Sequence, residues 1–388
     1  MTIFHKKRAR GVRTDALPNN DQGSRILLVH WGRTGGGPRF TYELACALQD
    51  GAGFSNIALS ISQYVDIAAR FHRFPVTQHV RTYRTYREFV VGILRLPLIA
   101  LEYVQFLRVV RPTSVIVTME SLYQSLILPV FTPRSIDYIV AVHDANLHPG
   151  EQNLVRRIGR YLEFHRADRF ITFSEAIQNS LATNPYTRNR PVCPTVHPAY
   201  GTNGTHASPR SLPAGRKLRV GFLGRITEYK GLDLFAATID RLRERNLDVV
   251  GVVYGAGDER YVSDIRDSPN CELHLGWIDD EEFPRTLATF DLLLLPYREA
   301  SQSGVLAQAL SLGVPVVVTP VGALAEQVAD TGCGRVAEAC TVAALTEATM
   351  SLLTHATTYG DCSRAGIDTS ATTFSWARVA RDISHFVA

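Results

Sequence analysis

The chain has 388 residues, of which 45% are hydrophobic and 20% charged; this length suits two domains, and the composition is that of neither a disordered nor a membrane-embedded chain. Six scattered cysteines without a CxxC pair argue against a zinc site or a disulfide framework, and fit a reducing cytosol. The net charge of +4 divides into +10 over residues 1–200 and −6 over residues 201–388. A basic first half suits an anionic partner, such as a membrane surface or a phosphate-bearing substrate, and equally an uneven solvated surface. Nucleic acid is not expected, because the basic residues show no cluster interleaved with aromatics.

Residues 1–22 carry Lys6, Lys7, Arg8, Arg10 and Arg13 without the apolar centre of a secretory signal, and read as a disordered basic tail. Residues 23–200 form the expected first domain. Its first strand is Arg25–His30, followed by the Gly-rich turn Trp31–Pro38 and a helical stretch Phe40–Leu48. Further strands are expected at Ile57–Ile61, Ser114–Thr118, Tyr138–His143 and Phe170–Phe173, with helices between them. That alternation predicts βαβ units around a parallel sheet. Phe89–Val110 is the most apolar long stretch, but Arg95, Pro97 and Glu102 interrupt it. A partly buried core helix is the preferred reading; with Arg81, Arg84 and Arg87 just before it, lying on an anionic membrane is the other.

A Pro-, Gly-, Ser- and Thr-rich stretch marks a linker at 201–216, and a second alternating series occupies 217–372. Its strands are expected at Leu218–Leu223, Asp248–Tyr254, Glu272–Leu275, Leu292–Leu295 and Val314–Thr319. A final helix within 373–388 is expected to pack back on the first domain. The fold class is therefore α/β, with two Rossmann-like, doubly wound domains facing a cleft.

In such sheets ligands sit beyond the carboxyl ends of the strands, which singles out four turns of the second domain. Gly224-Arg225-Ile226-Thr227-Glu228-Tyr229-Lys230-Gly231 puts two cations on one loop, suited to a diphosphate; two surface charges in a turn is the alternative. Only four lysines occur in the chain, against 37 arginines, so a lysine kept at 230 suggests a need for a compact ammonium. Gly255-Ala256-Gly257 permits close backbone approach to a ligand but lacks the full dinucleotide fingerprint, and serves equally as a tight turn. After Leu275, Trp277 and Ile278 precede an acidic run in which Asp279 and Glu282 read as a capping box rather than a metal site. The stretch Pro296–Leu310 opens a helix near Ser303, whose free N–H groups, with Gly304 and Val305, suit a phosphate. Gln308 would turn its amide toward the same space, and Glu299 on the loop could accept sugar hydroxyls.

The ordered series LGRITEYKG, GAGD, LGW and LPYREASQSGVLAQALSLGVPVVVTPVG, then Glu326, resembles the donor domain of family 4 retaining glycosyltransferases of GT-B fold, also called glycosyl transferases group 1. The resemblance is close over about 218–336 and covers most of the chain in outline. It implies that Arg225 and Lys230 hold a nucleotide diphosphate, that Trp277 and Ile278 touch the base, and that Ser303, Gly304 and Val305 meet sugar and phosphate. Gly35 and Gly36, in the Gly-rich loop, match the family loop near the transferred sugar and acceptor, and His143 matches a donor-sugar contact. The family usually carries two glutamates around the Ser/Gly-rich turn; here Glu299 is the first, shifted by one, and Gln308 replaces the second, at the ribose.

The function implied is retaining transfer of a hexose from a nucleotide-diphosphate sugar to an acceptor hydroxyl, in polysaccharide or glycolipid biosynthesis. Catalysis would fall to His143, Arg225, Lys230 and Glu299, the departing phosphate taking the acceptor proton, with no metal and no cofactor. Expected partners are the nucleotide sugar, a sugar or lipid-linked acceptor and an anionic membrane surface; the expected location is cytoplasmic, peripheral on the inner face of the plasma membrane. The alternatives are another GT-B activity, such as a nucleotide-sugar epimerase, or a catalytically weak scaffold.

Overall fold

The structure is a computed structural model that describes residues 24–144, 154–200, 207–266, 268–279, 281–300 and 303–387. The basic tail at 1–22, the loop just after Asp144 and residues 201–206 of the linker lie outside the described residues. Two compact units emerge. The first takes residues up to Thr172, then Ile177–Thr195, then the chain from Val379 onward; the second takes Phe173–Ala176 and Val196–Arg378.

The first unit is built on seven strands: β1 (Ile26–His30), β2 (Ile57–Ser62), β3 (Thr77–Val80), β4 (Ser114–Val117), β5 (Asp137–Val142), β6 (Arg169–Thr172) and β7 (Val192–Pro194). They lie in the order β3-β2-β1-β4-β5-β6-β7, every neighbouring pair parallel. All five residues of β1 are buried, as expected where helices cover both faces of a parallel sheet. Strand order reverses between β1 and β4, so their carboxyl ends open a crevice at the turns after His30 and Val117.

The second unit repeats the plan with six: β8 (Leu218–Leu223), β9 (Val249–Gly255), β10 (Cys271–Leu275), β11 (Leu292–Leu295), β12 (Val316–Val318) and β13 (Gly334–Val336). Their order is β10-β9-β8-β11-β12-β13, again all parallel. Here the reversal falls between β8 and β11. The turns carrying Arg225 and Lys230 on one side and Tyr297 and Ser303 on the other therefore border one crevice.

Several expectations shift. The helix expected from Phe40 begins at Gly36 and runs to Gly51, because Gly35, at φ 85°, turns the chain into it. Phe89–Val110 is not one helix: Tyr86–Gly92, a 3₁₀ turn Ile93–Arg95 and Leu96–Val110 follow one another. Pro97 sits in the first turn of the last, where its missing N–H costs nothing. One face of this run is buried and the other exposed. Asp279 is not an N-cap; its backbone carbonyl accepts from Glu282 and Phe283 N–H, and the helix runs Glu282–Ala288. Apart from Phe173–Ala176, the second unit begins at Val196, ahead of the boundary expected after 200. From Val379, the last helix (Trp376–Val387) belongs to the first unit. There Thr195 Oγ1 donates to Asp382 at 2.8 Å, and Arg169 stacks on Phe386 at 5.3 Å.

Glu163, on the helix Leu154–Arg166, is buried, and its Oε1 has no hydrogen-bond partner among the described residues. Burial, with Glu120 nearby, pushes its carboxyl up to about 8. A carboxyl held protonated in the fold adds stability below its unfolded value near 4.5, and that stability is lost as pH rises through 8. Glu163→Gln should therefore gain stability on the parent as pH rises from 5.5 to 8.5, read by denaturant unfolding at both values; an identical pH dependence for the two proteins would refute the assignment.

Candidate functional site

In the second unit the loops after β8 and β9 are sewn together by backbone. Gly224 N–H donates to Tyr254 (3.1 Å), Ile226 N–H to Ala256 (2.9 Å) and Asp258 N–H to Ile226 (3.2 Å). Gly255 and Gly257 make this possible: a Cβ on either would stand 2.0 Å from the carbonyl oxygen of Gly224 or Ile226. The β10 turn joins through Gly276 N–H to the Gly255 carbonyl at 2.9 Å, which brings exposed Trp277 and half-buried Ile278 to the same sheet end.

Across the crevice, the β11 loop is latched to the β8 loop. Arg298 N–H donates to Tyr229 (2.7 Å), and its guanidinium reaches Asp233 (2.9 and 2.5 Å) and the Glu228 carbonyl (3.2 Å). The Arg298 hydrogen bonds hold the Asp233 carboxyl below its usual range. Half-buried Lys230 lies with Nζ 3.6 Å from the Tyr297 ring centroid and 5.1 Å from that of Tyr229. Tyr297 is fully buried, so the ammonium rests on a fixed aromatic shelf. Arg225 and Glu299 are exposed on their loops. Neither the Tyr297 shelf nor the Arg298 latch was foreseen; the sequence offered only an aromatic and an arginine after an apolar strand.

The helix Gly304–Ser311 opens as expected. Buried Ser303 caps it, Oγ accepting from Leu306 N–H at 3.3 Å. Gly304 and Val305 form its first turn, and a Cβ on Gly224 would stand 3.9 Å from Val305. The loop after β8 thus meets the positive end of this helix, an arrangement suited to anions.

Gln308 departs from its expected role. It is wholly buried, and its amide donates to the Tyr200 carbonyl (3.2 Å) and Ser311 Oγ (3.0 Å), while Oε1 has no partner among the described residues. Rather than facing the crevice, it fastens the segment 196–200 to this unit, alongside Ala199 N–H donating to Phe374 at 2.8 Å. Gln308→Glu would set a carboxylate against the Tyr200 carbonyl. It should lower stability by about 1–3 kcal/mol, more at pH 8 than at pH 5, where the acid can protonate; thermal unfolding at both values checks this.

In the first unit, Gly35 and Gly36 are exposed at the opening of the helix Gly36–Gly51. His143, just beyond β5, is buried; Nε2 donates to the Thr118 carbonyl at 2.8 Å, and Phe40 meets the ring edge-on at 4.8 Å. Burial lowers its pKa to about 4. The ring is therefore neutral at pH 7, with Nδ1 as its hydrogen-bond acceptor. Sequence reasoning missed His30, which ends β1. It is buried under the Gly-rich loop, where a Cβ on Gly32 or Gly37 would stand 2.3 Å from its Nε2. Its Nδ1 donates to Met119 at 3.2 Å, and burial lowers it to about 4. The sheet rule that singled out His143 points equally to a histidine ending β1.

Residues 217–355 match the family described as Glycosyl transferases group 1. Among curated proteins, glycogen synthase of Geotalea daltonii is 33% identical over 117 residues, 29% of this chain and 23% of that protein; the match thus spans about a quarter of the relative's length. Among solved structures, sucrose-phosphate synthase from Thermosynechococcus elongatus aligns with a TM-score of 0.74 at 14% identity, covering 94% of this chain and 98% of that one. Anabaena HepE in complex with UDP-glucose aligns with a TM-score of 0.70 at 14% identity, covering 94% and 99%. At such identities the structures speak for the fold, which is GT-B. The second unit of this GT-B chain carries a glycosyl transferases group 1 domain over residues 217–355.

Proposed function

We propose that the chain is a retaining, family 4 glycosyltransferase that moves a hexose from a nucleotide-diphosphate sugar to an acceptor hydroxyl. The observation in its favour is the convergence on one crevice of Lys230 on its aromatic shelf, the Gly224/Gly255/Gly257 backbone and the capped helix at Ser303. Cation and helix end would both stabilise charge as it grows on a departing diphosphate. Arg225 would add a second cation there, and the leaving phosphate oxygen would take the acceptor proton. Trp277 and Ile278 would meet the base, and Glu299 the sugar. UDP-glucose and UDP-loaded relatives of the same fold support a nucleotide-sugar donor. The acceptor would be a sugar or a lipid-linked sugar in polysaccharide or glycolipid assembly, with the enzyme in the cytoplasm at the inner face of the membrane.

The test incubates the protein with UDP-, GDP- and ADP-sugars, measuring binding by calorimetry and slow donor hydrolysis by nucleotide release. At least one donor should bind and turn over, and the released sugar should keep its anomeric configuration by NMR. Neither binding nor hydrolysis with any donor would overturn the proposal.

A further inference from the structure

The helical run of the first unit, Tyr86–Gly92 through Leu96–Val110, carries two apolar stripes on opposite sides. One is core: Phe89, Ile99, Tyr103, Phe106, Leu107 and Val110 are buried. The other faces solvent. Val90, Val91, Ile93, Leu94, Leu98 and Leu101 are between 44% and 83% exposed, and positions 90, 94, 98 and 101 recur at the spacing of one helix face. Isolated exposed leucines are ordinary, but a contiguous stripe of six large aliphatics is not.

Charge frames the stripe. Residues 81–111 contain six arginines against two glutamates; Arg81, Arg84, Arg87, Arg95, Arg108 and Arg111 are all exposed. Of the acids, Glu88 is turned back to accept from the Arg84 N–H at 2.7 Å. By length and composition Arg87–Val110 is apolar enough to cross a membrane. Its opposite face is locked into the core, however, so this run suits a position along a surface rather than through it.

We propose that the stripe Val90–Leu101, bordered by Arg87 and Arg95, docks this unit on an anionic lipid bilayer, with the helices in the plane of the interface. Aliphatic side chains would enter the acyl boundary, and the arginines would meet lipid phosphates. A second copy of the chain is the less suited occupant. In a twofold contact the patch meets itself, which sets arginines against arginines, whereas a bilayer supplies the opposite charge. The proposal stands apart from the reading of the donor site and holds whether or not sugar is transferred.

The full chain is floated with phosphatidylcholine vesicles and with vesicles containing about one third phosphatidylglycerol. Binding to the anionic vesicles is expected, at least about tenfold weaker to the neutral ones and weakened by salt. Leu94→Asp with Leu98→Asp should lower anionic-vesicle binding by about tenfold or more while leaving the melting temperature nearly unchanged, since both positions are exposed. Should that variant unfold, Leu94→Gln with Leu98→Gln serves, with the same expected loss. Wild-type protein that ignores anionic vesicles, or a folded variant that binds them as well as wild type, would overturn the proposal. So would sedimentation showing a dimer that the same substitutions dissolve.

Discussion

Lys230→Ala is expected to weaken nucleoside-diphosphate affinity about ten- to a hundredfold, from a lost charge-assisted contact worth about 1.5–3 kcal/mol. Stability should fall by no more than about 1 kcal/mol, the worth of a partly exposed cation over a ring. The two effects separate because the turn is held by backbone: Lys230 N–H donates to Thr227 at 3.1 Å, Gly231 N–H to Glu228 at 3.2 Å, and neither involves the ammonium. Tyr297 keeps Nζ 3.6 Å from its ring, so the charge waits in position and little ordering is required when an anion arrives. Calorimetric titration with UDP and other nucleoside diphosphates, beside thermal unfolding, tests both halves. Unchanged affinity would remove Lys230 from the site.

Gly255→Ala should be strongly damaging at the candidate site. The new methyl would lie 2.0 Å from the Gly224 carbonyl oxygen, which is backbone and cannot swing aside. Overpacking of that kind costs about 3 kcal/mol or more, and relief would require β8 and β9 to part where their turns are stitched. Both stability and nucleotide binding should fall together, unlike the Lys230 case. Gly51→Ala is the control: none of the described residues lies within 4 Å of its added Cβ, and denaturation midpoints should barely move. A Gly255→Ala protein as stable as the parent would show that the two turns are not in the contact described.

The central strands were legible because strands covered on both faces read as unbroken apolar runs, as in Leu292–Leu295. Those not foreseen, β3, β7 and β13, lie at sheet edges, where strands are short or polar: Thr77–Val80 reads TQHV, and Val192–Pro194 and Gly334–Val336 have three residues each. The candidate turns could be read because one rule places ligands at strand ends, whatever the side chains. The Arg298–Asp233 pairing, 65 residues apart, leaves no periodic trace in the sequence. Gln308 was assigned its direction from helical geometry alone, but its partner, Tyr200, comes from a distant segment that periodicity does not report. The run to Val110 is apolar on two sides, so its composition alone suits a core helix and a surface-lying one alike; in the structure one side is buried and the other exposed.

The return of residues beyond Val379 to the first unit bears on how the protein is made. During synthesis the early portion of a chain ordinarily folds while the rest is still being translated, at about 5–20 residues per second. Here residues 24–195 lack their final helical segment until the second unit has been translated, a delay of about 10–40 s at those rates. Throughout that interval the surface around Thr195 and Arg169, later covered by Asp382 and Phe386, is open to whatever else the nascent chain meets.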